Sequence, residues 1–301
     1  MSKASPLASL SATRAVLDAH GLSAKHSLGQ NFLVNDGIVA KILKLSDANS
    51  ADTVLEVGPG IGTLTTALLQ KVDHVISVER DTDLIPVLGE TCAPWADSFT
   101  LLSRDAMGLR PADLAAAYPT VPNKLIANLP YVVATALVFD YFCDLPSLDS
   151  MTVMVQREVA QRMMATPGTK DYGAYSVKLG LRAKATGSFT VQPQNFHPAP
   201  RVVSMVIRLD RTPALDSAGN PLTPELLAAT DLMADAAFTQ RRKTLNNSFK
   251  AFFSGRADGE ELLTHLDDFF AGAGIDPMRR GETLSQAEFI HLAEYFAKYQ
   301  K

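Results

Sequence analysis

The chain has 301 residues, which suggests about two domains and ample material for a hydrophobic core. Hydrophobic residues make up 47% of it and charged residues 20%, as in soluble globular proteins, and no apolar run reaches the ~20 residues that a membrane-spanning helix needs. The net charge of −4 excludes a chain that is basic throughout, so any nucleic-acid binding must depend on local basic patches.

The first two thirds of the chain show the alternation of strands and helices that is typical of a doubly wound α/β sheet. Residues 1–25 are expected to be largely flexible with a helix around 12–19, and an amphipathic helix follows at 36–45. Buried strands are predicted at 53–57, 74–79, 99–103, 124–127 and 151–155. Extended segments at 189–192 and 202–209 are expected to add an antiparallel edge. We therefore predict a Rossmann-like α/β domain over residues 1–210.

The last third of the chain is helical in pattern after a turn-rich linker at 211–220. Helices are predicted at 224–238, 241–253, 260–271 and 285–299. The cations Arg241, Arg242 and Lys243 open the second of these helices and suit contacts with RNA phosphates, although a solvated helix face explains them almost as well. We predict a smaller all-α, RNA-binding domain over residues 211–301.

Three glycines follow the first predicted strand of the sheet. Gly58, Gly60 and Gly62 would allow a tight turn and the close approach of a ligand to the backbone. Their G-x-G-x-G spacing differs from the G-x-G-x-x-G of dinucleotide loops, which favours a cofactor without a pyrophosphate. A tight turn that binds no ligand is the alternative.

Carboxylates stand at the ends of the next two strands. Glu79 is placed to accept hydrogen bonds from both hydroxyls of a ribose, and Asp105 from an adenine amine. Either residue alone could be a solvated side chain, and NAD-binding proteins share the first feature. Together with the glycine loop, they predict an adenosine across three strand ends, which we interpret as S-adenosylmethionine.

The segment Asn128-Leu129-Pro130-Tyr131 ends the fourth strand, because proline has no N–H to continue the ladder. The Asn128 side-chain oxygen and the carbonyl of Leu129 or Pro130 could accept both hydrogens of an exocyclic adenine amine. Its lone pair would then be available for methyl transfer without a general base. Tyr131 offers a face for the base to stack on. A proline-terminated strand with an incidental tyrosine is the alternative.

A second aromatic residue, Phe196, lies in a proline-rich loop and could stack on the other face of that base. Stacking contributes ~1–3 kcal/mol per base, and extruding a base costs a few kcal/mol. Two aromatic faces would therefore roughly offset the extrusion. The alternative is that Phe196 is a core side chain. Arg201, in the same loop, is a further candidate for RNA contact.

The remaining residues indicate no metal or disulfide chemistry. Cys92 and Cys143 are too few for a disulfide framework, and the six histidines show no metal-ligand spacing. The first ten residues lack the apolar stretch of a signal peptide. We therefore expect no metal, no membrane partner and a cytoplasmic location.

These motifs, in this order, resemble those of the ribosomal RNA adenine dimethyltransferases. The matching segments are Leu28–Leu33, Glu56–Gly62, Glu79, Asp105, Asn128–Tyr131, Phe196–Arg201, Gln240–Thr244 and Gly274–Arg279. The resemblance implies a Rossmann-like class I methyltransferase sheet. It also implies that S-adenosylmethionine contacts Asn31, Leu33, Gly58, Glu79, Asp105 and Asn128, and that the target adenine contacts Asn128, Tyr131 and Phe196.

The activity that the resemblance implies is dimethylation of the N6 amines of two adjacent adenosines in the 3′-terminal hairpin of small-subunit (16S) rRNA. The implied partner is an immature small ribosomal subunit, and a monomeric enzyme is expected. Departures from the family pattern are Leu28 for a usual Phe, Arg201 for a usual Lys, and Val132-Val133 after the tyrosine. None removes a group that the chemistry needs.

Three alternatives remain open at this stage. They are a large-subunit rRNA adenine methyltransferase, a non-catalytic ribosome-assembly or RNA-binding factor of the same fold, and a DNA adenine methyltransferase. The segment Gly274–Arg279 and the longer helical domain favour the small subunit.

Overall fold

The computed structural model describes residues 3–25, 28–256 and 259–299. Residues 1–2, 26–27, 257–258 and 300–301, which fall within the two predicted domains, lie outside this description. The chain divides into a first unit, Met1–Ala160 with Ala185–Arg211, and a second unit, Gln161–Lys184 with Thr212–Lys301.

The strands of the first unit build the sheet that the sequence predicts. They are β1 (Phe32–Leu33), β2 (Thr53–Val57), β3 (His74–Glu79), β4 (Phe99–Ser103), β5 (Lys124–Asn128), β6 (Ser150–Gln156), β7 (Ala183–Val191), β8 (Phe196–His197) and β9 (Ser204–Arg211). Within the described residues, seven of them form one sheet in the order β4-β3-β2-β5-β6-β9-β7. β2 to β6 pair in parallel and β9 is antiparallel to β6. The predicted Rossmann-like α/β architecture is confirmed.

The sequence predicts these strands because the sheet is covered on both faces. All five positions of β2 and all six of β3 are buried, so each strand is a continuous run of buried residues rather than an alternation. Strand order reverses between β2 and β5, since β3 and β4 lie on one side of β2 and β5 on the other. The carboxyl ends at such a switch point form a crevice for ligands.

Helices connect the strands and form most of the second unit. They are α1 (Leu10–Ala19), α2 (Asp36–Ser46), α3 (Thr63–Leu68), α4 (Leu84–Thr91), α5 (Pro111–Ala117), α6 (Ala134–Asp144), α7 (Arg157–Met163), α8 (Ala174–Gly180), α9 (Pro224–Phe238), α10 (Leu245–Phe253), α11 (Glu260–Thr264), α12 (Leu266–Gly272) and α13 (Gln286–Phe296). Among the helices described, none has the length and apolarity needed to cross a bilayer.

Residues 3–25 contain the helix expected around 12–19, as α1, but differ from the expected flexible segment in how they are held. The Ser9 hydroxyl caps α1 by accepting the Ala12 N–H. Ser5 is fully buried, its N–H donates to Asp36 Oδ1 at 2.9 Å, and its hydroxyl lies 3.0 Å from that of Thr66. The segment is therefore fastened to the amino-terminal turn of α2 and to α3.

The second unit has an aromatic core. Six phenylalanines of this core are fully buried: Phe249, Phe253, Phe269, Phe270, Phe289 and Phe296. The Phe249 and Phe270 rings meet edge to face, with their centroids 5.1 Å apart, a favoured geometry for aromatic pairs. The sequence placed residues 161–184 in the first domain, but Tyr172 and Val177 are buried in this core. That is why this stretch belongs to the second unit.

Two predicted helices of the second unit have different bounds in the structure. The helix predicted at 241–253 begins only at Leu245, because the Thr244 hydroxyl caps it by accepting the Asn247 N–H. The helix predicted at 260–271 is divided into α11 and α12 at His265, whose φ of −117° and ψ of 27° are not helical.

A buried ion pair joins the amino ends of β2 and β5. Lys124 Nζ lies 2.7 Å from Asp52 Oδ2 and also donates to the Asp47 carbonyl at 2.7 Å. The other oxygen of Asp52 accepts from Asn123 Nδ2 at 2.8 Å. Only 11% of the Lys124 side chain and 5% of the Asp52 side chain are exposed. This network ties the end of α2 to the two central strands.

We expect Lys124→Ala to lower the free energy of unfolding by about 3 kcal/mol, because it leaves the Asp52 carboxylate buried without its partner. Burial raises the pKa of Asp52, but hydrogen bonds from Lys124 and Asn123 outweigh it and lower the pKa below 3.8. The stabilisation is therefore present above pH 3.8 and is lost as the pH falls through the lower, folded-state value. Urea unfolding at pH 7 and pH 3 measures both effects.

The matched control is Lys41→Ala, which removes an exposed lysine of α2. It is expected to change stability by less than about 0.5 kcal/mol. Equal losses in the two variants would show that the pair contributes no more than a surface charge.

Candidate active site

A pocket of about 450 Å³ lies in the first unit, at the carboxyl ends of the central parallel strands. It is the crevice that the reversal of strand order predicts. Most of the side chains that the sequence singles out line this pocket together: Asn31, Leu33, Gly58, Glu79, Asp105, Asn128, Leu129, Pro130 and Tyr131.

The glycine loop between β2 and α3 has a backbone that other residues would strain. Gly58, Gly60 and Gly62 have φ values of +68°, +62° and +91°. A Cβ on Gly60 would lie 3.2 Å from the Phe32 ring, closer than ordinary contact. The Gly58 N–H donates to the Val78 carbonyl at 3.0 Å, which holds the loop beside β3. The loop can therefore form the floor of the pocket only with glycines.

Glu79 is held at the end of β3 by backbone donors. Its Oε1 accepts the Asp81 N–H at 2.8 Å and its Oε2 the Gly60 N–H at 3.4 Å. Only 6% of the residue is exposed, and this burial raises the pKa of its carboxyl against the lowering effect of those N–H groups. A carboxylate has about four acceptor sites, so two remain for the hydroxyls of a ligand.

Asp105 follows β4 at the rim of the pocket and is more exposed. Its Oδ1 accepts the Met107 N–H at 2.9 Å, and its Oδ2 lies 3.3 Å from Arg80 Nη1. About half of each side chain of this ion pair is exposed. Arg80 also lines the pocket and had no role in the sequence prediction.

Asn128 presents its amide oxygen as a free acceptor. Its Nδ2 donates to the Asn31 carbonyl at 3.4 Å, and within the described residues no donor bonds to its Oδ1. The carbonyl of Pro130 accepts the Val133 N–H at 3.2 Å, whereas within the same residues no donor bonds to the Leu129 carbonyl. The Leu129 N–H donates to the Met154 carbonyl of β6 at 3.1 Å. The sequence left the Leu129 and Pro130 carbonyls as alternative acceptors. Among the described residues, the Leu129 carbonyl is the one of the two that has no donor.

Tyr131 has its ring position set by one hydrogen bond. Its hydroxyl lies 2.7 Å from the hydroxyl of Ser204, a fully buried residue at the start of β9. Burial raises the pKa of the Tyr131 phenol, so it stays protonated near neutral pH and is no base. The Tyr131 ring face is therefore available for stacking, and its hydroxyl is not a group for proton transfer.

Phe196 does not line the pocket. Only 4% of it is exposed, and it packs in the core with Leu33, its partner in the pairing of β1 with β8. The structure therefore agrees with the alternative that Phe196 is a core side chain. It lies opposite Leu33, which does line the pocket.

The basic cluster of the second unit lies in a turn before α10, not in a helix. Arg241 is engaged there: its Nη2 donates to the Lys170 carbonyl at 2.5 Å and lies 3.3 Å from Glu282 Oε2. Arg242 and Lys243 are exposed, and within the described residues they have no side-chain partner. Arg201, in the first unit, is also exposed.

The sequence analysis assigned no role to Glu56, a pocket residue that precedes the glycine loop. Its Oε2 accepts from Thr65 Oγ1 at 2.7 Å and from Ser77 Oγ at 2.8 Å. It is 1% exposed, and burial raises the pKa of its carboxyl to about 7. The sequence feature that could have identified this buried carboxyl is an acidic residue inside an otherwise apolar strand.

We expect Glu56→Gln to flatten the dependence of stability on pH. The pKa of Glu56 rises from 4.5 in the unfolded chain to about 7 in the fold. The wild type therefore loses stability as the pH rises through this window, by about 3 kcal/mol in total. The variant, whose amide oxygen can still accept from Thr65 and Ser77, should gain on the wild type between pH 5 and pH 8. Urea unfolding without added ligand measures the difference.

The control is Glu158→Gln, which neutralises an exposed carboxylate on α7. It should leave the slope between pH 5 and pH 8 as in the wild type. A Glu56→Gln slope equal to that of the wild type would contradict the raised pKa.

Comparison with known proteins gives the relatives of this chain. The profile of the family described as ribosomal RNA adenine dimethylase matches residues 21–298. The ribosomal RNA small subunit methyltransferase A of Staphylococcus haemolyticus is 39% identical over 295 residues, which cover 96% of this chain and 95% of that protein. The protein of the same name from Rhodococcus opacus is 40% identical over 284 residues, or 93% and 91% of the two chains.

Two solved structures share the fold. A dimethyladenosine transferase from Plasmodium falciparum has a TM-score of 0.70 at 24% identity, covering 89% of this chain and 98% of its own. The 23S rRNA methyltransferase ErmE has a TM-score of 0.64 at 22% identity, covering 89% and 100%. The family profile covers nearly the whole chain, and the relatives match it at more than a third of their positions. The chain therefore belongs to the ribosomal RNA adenine dimethylase family.

Proposed function

We propose that the chain is an S-adenosylmethionine-dependent enzyme that dimethylates the N6 amines of two adjacent adenosines in the 3′-terminal hairpin of small-subunit rRNA. The observation that carries the proposal is the pair of free acceptors, Asn128 Oδ1 and the Leu129 carbonyl, beside a pocket lined by carboxylates. The bacterial relatives named as small-subunit methyltransferases support the choice of RNA.

The two acceptors have one chemical task. An exocyclic adenine amine is a poor nucleophile because its lone pair is delocalised into the ring. When Asn128 Oδ1 and the Leu129 carbonyl accept its two hydrogens, the nitrogen is oriented with its lone pair outward, and charge that develops on it is stabilised. Orientation of this kind contributes up to ~7–11 kcal/mol when reacting atoms are in line. The new N–C bond would form as the S–C bond of the methyl donor breaks, and the methylated nitrogen, once cationic, can lose its proton to water, so no side chain has to act as a base.

The target base is held by the face of Tyr131. The bond to Ser204 keeps that ring in one position, so the base can stack without first ordering it. Single stacking contributes ~1–3 kcal/mol, which is comparable to the cost of unstacking a base in an RNA loop. Phe196, as a core residue, supports this site through Leu33.

The pocket fits S-adenosylmethionine, which supplies an activated methyl group when bound. Glu79 would hold the ribose hydroxyls and Asp105 the adenine amine, and the glycine loop would allow close approach. Asn31, Leu33 and Gly58, which the family pattern implies as cofactor contacts, also line the pocket.

RNA binding is proposed for the exposed cations. Arg242, Lys243 and Arg201 are free to contact phosphates, whereas Arg241 is occupied by Glu282 and the Lys170 carbonyl. With a net charge of −4, the chain depends on such local groups for binding. We propose a monomer that acts on an immature small subunit in the cytoplasm.

The test is incubation of the protein with labelled S-adenosylmethionine and, in separate reactions, small subunits that lack the modification, large-subunit rRNA and duplex DNA. Label is expected in dimethyladenosine of a 3′-terminal fragment. Asn128→Ala should lower turnover at least ~100-fold, because one of two amine acceptors is lost. Its sedimentation with subunits should stay close to that of the wild type.

Three outcomes would contradict the proposal. Label in large-subunit rRNA would favour the other rRNA substrate, and label in duplex DNA would favour a DNA methyltransferase. Binding without any label would favour an assembly factor. Unchanged turnover in Asn128→Ala would refute the role of that side chain.

We expect the double variant Arg242→Ala/Lys243→Ala to weaken binding to immature subunits and to reduce its salt dependence. Each lost phosphate contact lowers the slope of log affinity against log salt by about 0.7–0.9. The charge-matched control is Lys41→Ala/Lys44→Ala, which removes two exposed cations of α2. Equal slopes in the two double variants would exclude a specific role for the turn before α10.

A further inference from the structure

Asp81 is a buried carboxylate beside the pocket to which the proposed chemistry gives no task. Only 5% of it is exposed. Its Oδ1 accepts from Lys25 Nζ at 2.6 Å and its Oδ2 from Gln30 Nε2 at 2.6 Å. Burial raises the pKa of Asp81, but the bonds from Lys25 and Gln30 outweigh it and the net pKa is lowered. The Asp83 N–H also donates to Oδ1, at 3.2 Å. The carboxylate is therefore charged, and loss of either side-chain donor would leave it buried with fewer partners.

The backbone of Asp81 also positions Glu79. The Asp81 N–H donates to Glu79 Oε1 at 2.8 Å, and the other oxygen of Glu79 accepts the Gly60 N–H. A displacement of Asp81 would remove the shorter of these two bonds. Asp81 thus links residues near the amino terminus to the carboxylate proposed to hold the ribose.

The residues from Leu28 to Leu33 form one wall of the pocket. The Gln30 end of this wall is held by Asp81, and the Leu33 end by the pairing of β1 with β8. Between these two anchors, the Asn31 carbonyl accepts from Asn128 Nδ2. The wall therefore touches both the cofactor side and the catalytic side of the pocket.

We infer that Lys25, Gln30 and Asp81 form a latch that holds this wall against the pocket and sets how tightly the cofactor is retained. Lys25 and Asp81 do not line the pocket and act as positioning residues, through Gln30 and Glu79. When the latch is broken, the wall and the Glu79 carboxylate lose their fixed geometry, and the dissociation of the cofactor becomes faster. The inference rests on the proposed function only in placing S-adenosylmethionine in this pocket.

The chain offers a matched control for this latch. Lys25 Nζ also lies 2.6 Å from Asp83 Oδ2, but the Asp83 side chain is 53% exposed. The Asp83 carboxylate bonds neither to Gln30 nor to the residues of the glycine loop among the contacts of the described chain. Asp83→Asn therefore removes the charge of the other carboxylate that contacts Lys25, although its amide oxygen can still accept from the lysine, and it leaves the latch and the bond from the Asp83 N–H to Asp81 in place.

The test measures binding of S-adenosylhomocysteine to the full chain by calorimetry and its dissociation by stopped flow. Lys25→Met and Gln30→Ala should each raise Kd about tenfold, mainly through the dissociation rate. Asp83→Asn should stay within about twofold, and Lys25→Arg, which keeps the charge, should restore most of the affinity. In methylation assays the KM for the cofactor should rise in Lys25→Met, while kcat at saturating cofactor changes by less than about threefold.

The outcomes separate the latch from simpler explanations. A structural role alone would lower the melting temperature and kcat without raising KM, and a Kd increase in Asp83→Asn equal to that in Lys25→Met would show that the contact of Lys25 with Asp81 has no special role. Either result overturns the inference, as does unchanged affinity in both latch variants. If Lys25→Met does not fold, Gln30→Ala decides. Failure of the wild type to bind would instead refute the proposed cofactor.

Discussion

The parallel pairing of β2 with β3 on one side and β5 on the other is the constraint on which the site depends. Its register places Val57 beside Val78 and Leu55 beside Leu125, so that the glycine loop, Glu79 and Asn128 leave the sheet at one edge. Because side chains alternate between faces, a slip of β3 or β5 by one residue would turn Glu79 or Asn128 to the other face of the sheet. The buried pair of Asp52 and Lys124 secures the opposite ends of the same strands.

Buried carboxylates are concentrated at this edge, and each is stabilised by different donors. Glu56 is bonded by two hydroxyls, Glu79 by two backbone N–H groups, and Asp81 by an ammonium and an amide. The charge of Glu79 adds to burial in raising the pKa of Glu56, while Lys25 and Gln30 keep Asp81 ionised. Acceptor oxygens are thereby held in fixed positions at the edge of the pocket.

Local pattern was sufficient for the strands and the pocket but not for several side-chain environments. The strands at 53–57 and 74–79 have the predicted bounds because two-sided burial makes each a continuous run of buried residues. The strand at 99–103 also has the predicted bounds, although its residues are only partly buried or exposed. The sequence is consistent with Phe196 as either a stacking ring or a core residue. An aromatic side chain in a loop belongs to no periodic pattern that would predict whether it is buried. Only the pairing of β1 with β8 decides that it points into the core.

The Rossmann-like order of elements, the glycine loop, and the placement of Glu79, Asp105 and Asn128 at or near strand ends follow from spacing along the chain, so sequence alone predicts them. Packing in three dimensions selects which carbonyl near Asn128 has no donor among the described residues, which of the three consecutive cations is already bound, and that residues 161–184 join the second unit. It also brought Lys25 and Gln30 to Asp81 from more than fifty residues away. Contacts over such distances arise from packing, and no local pattern specifies them.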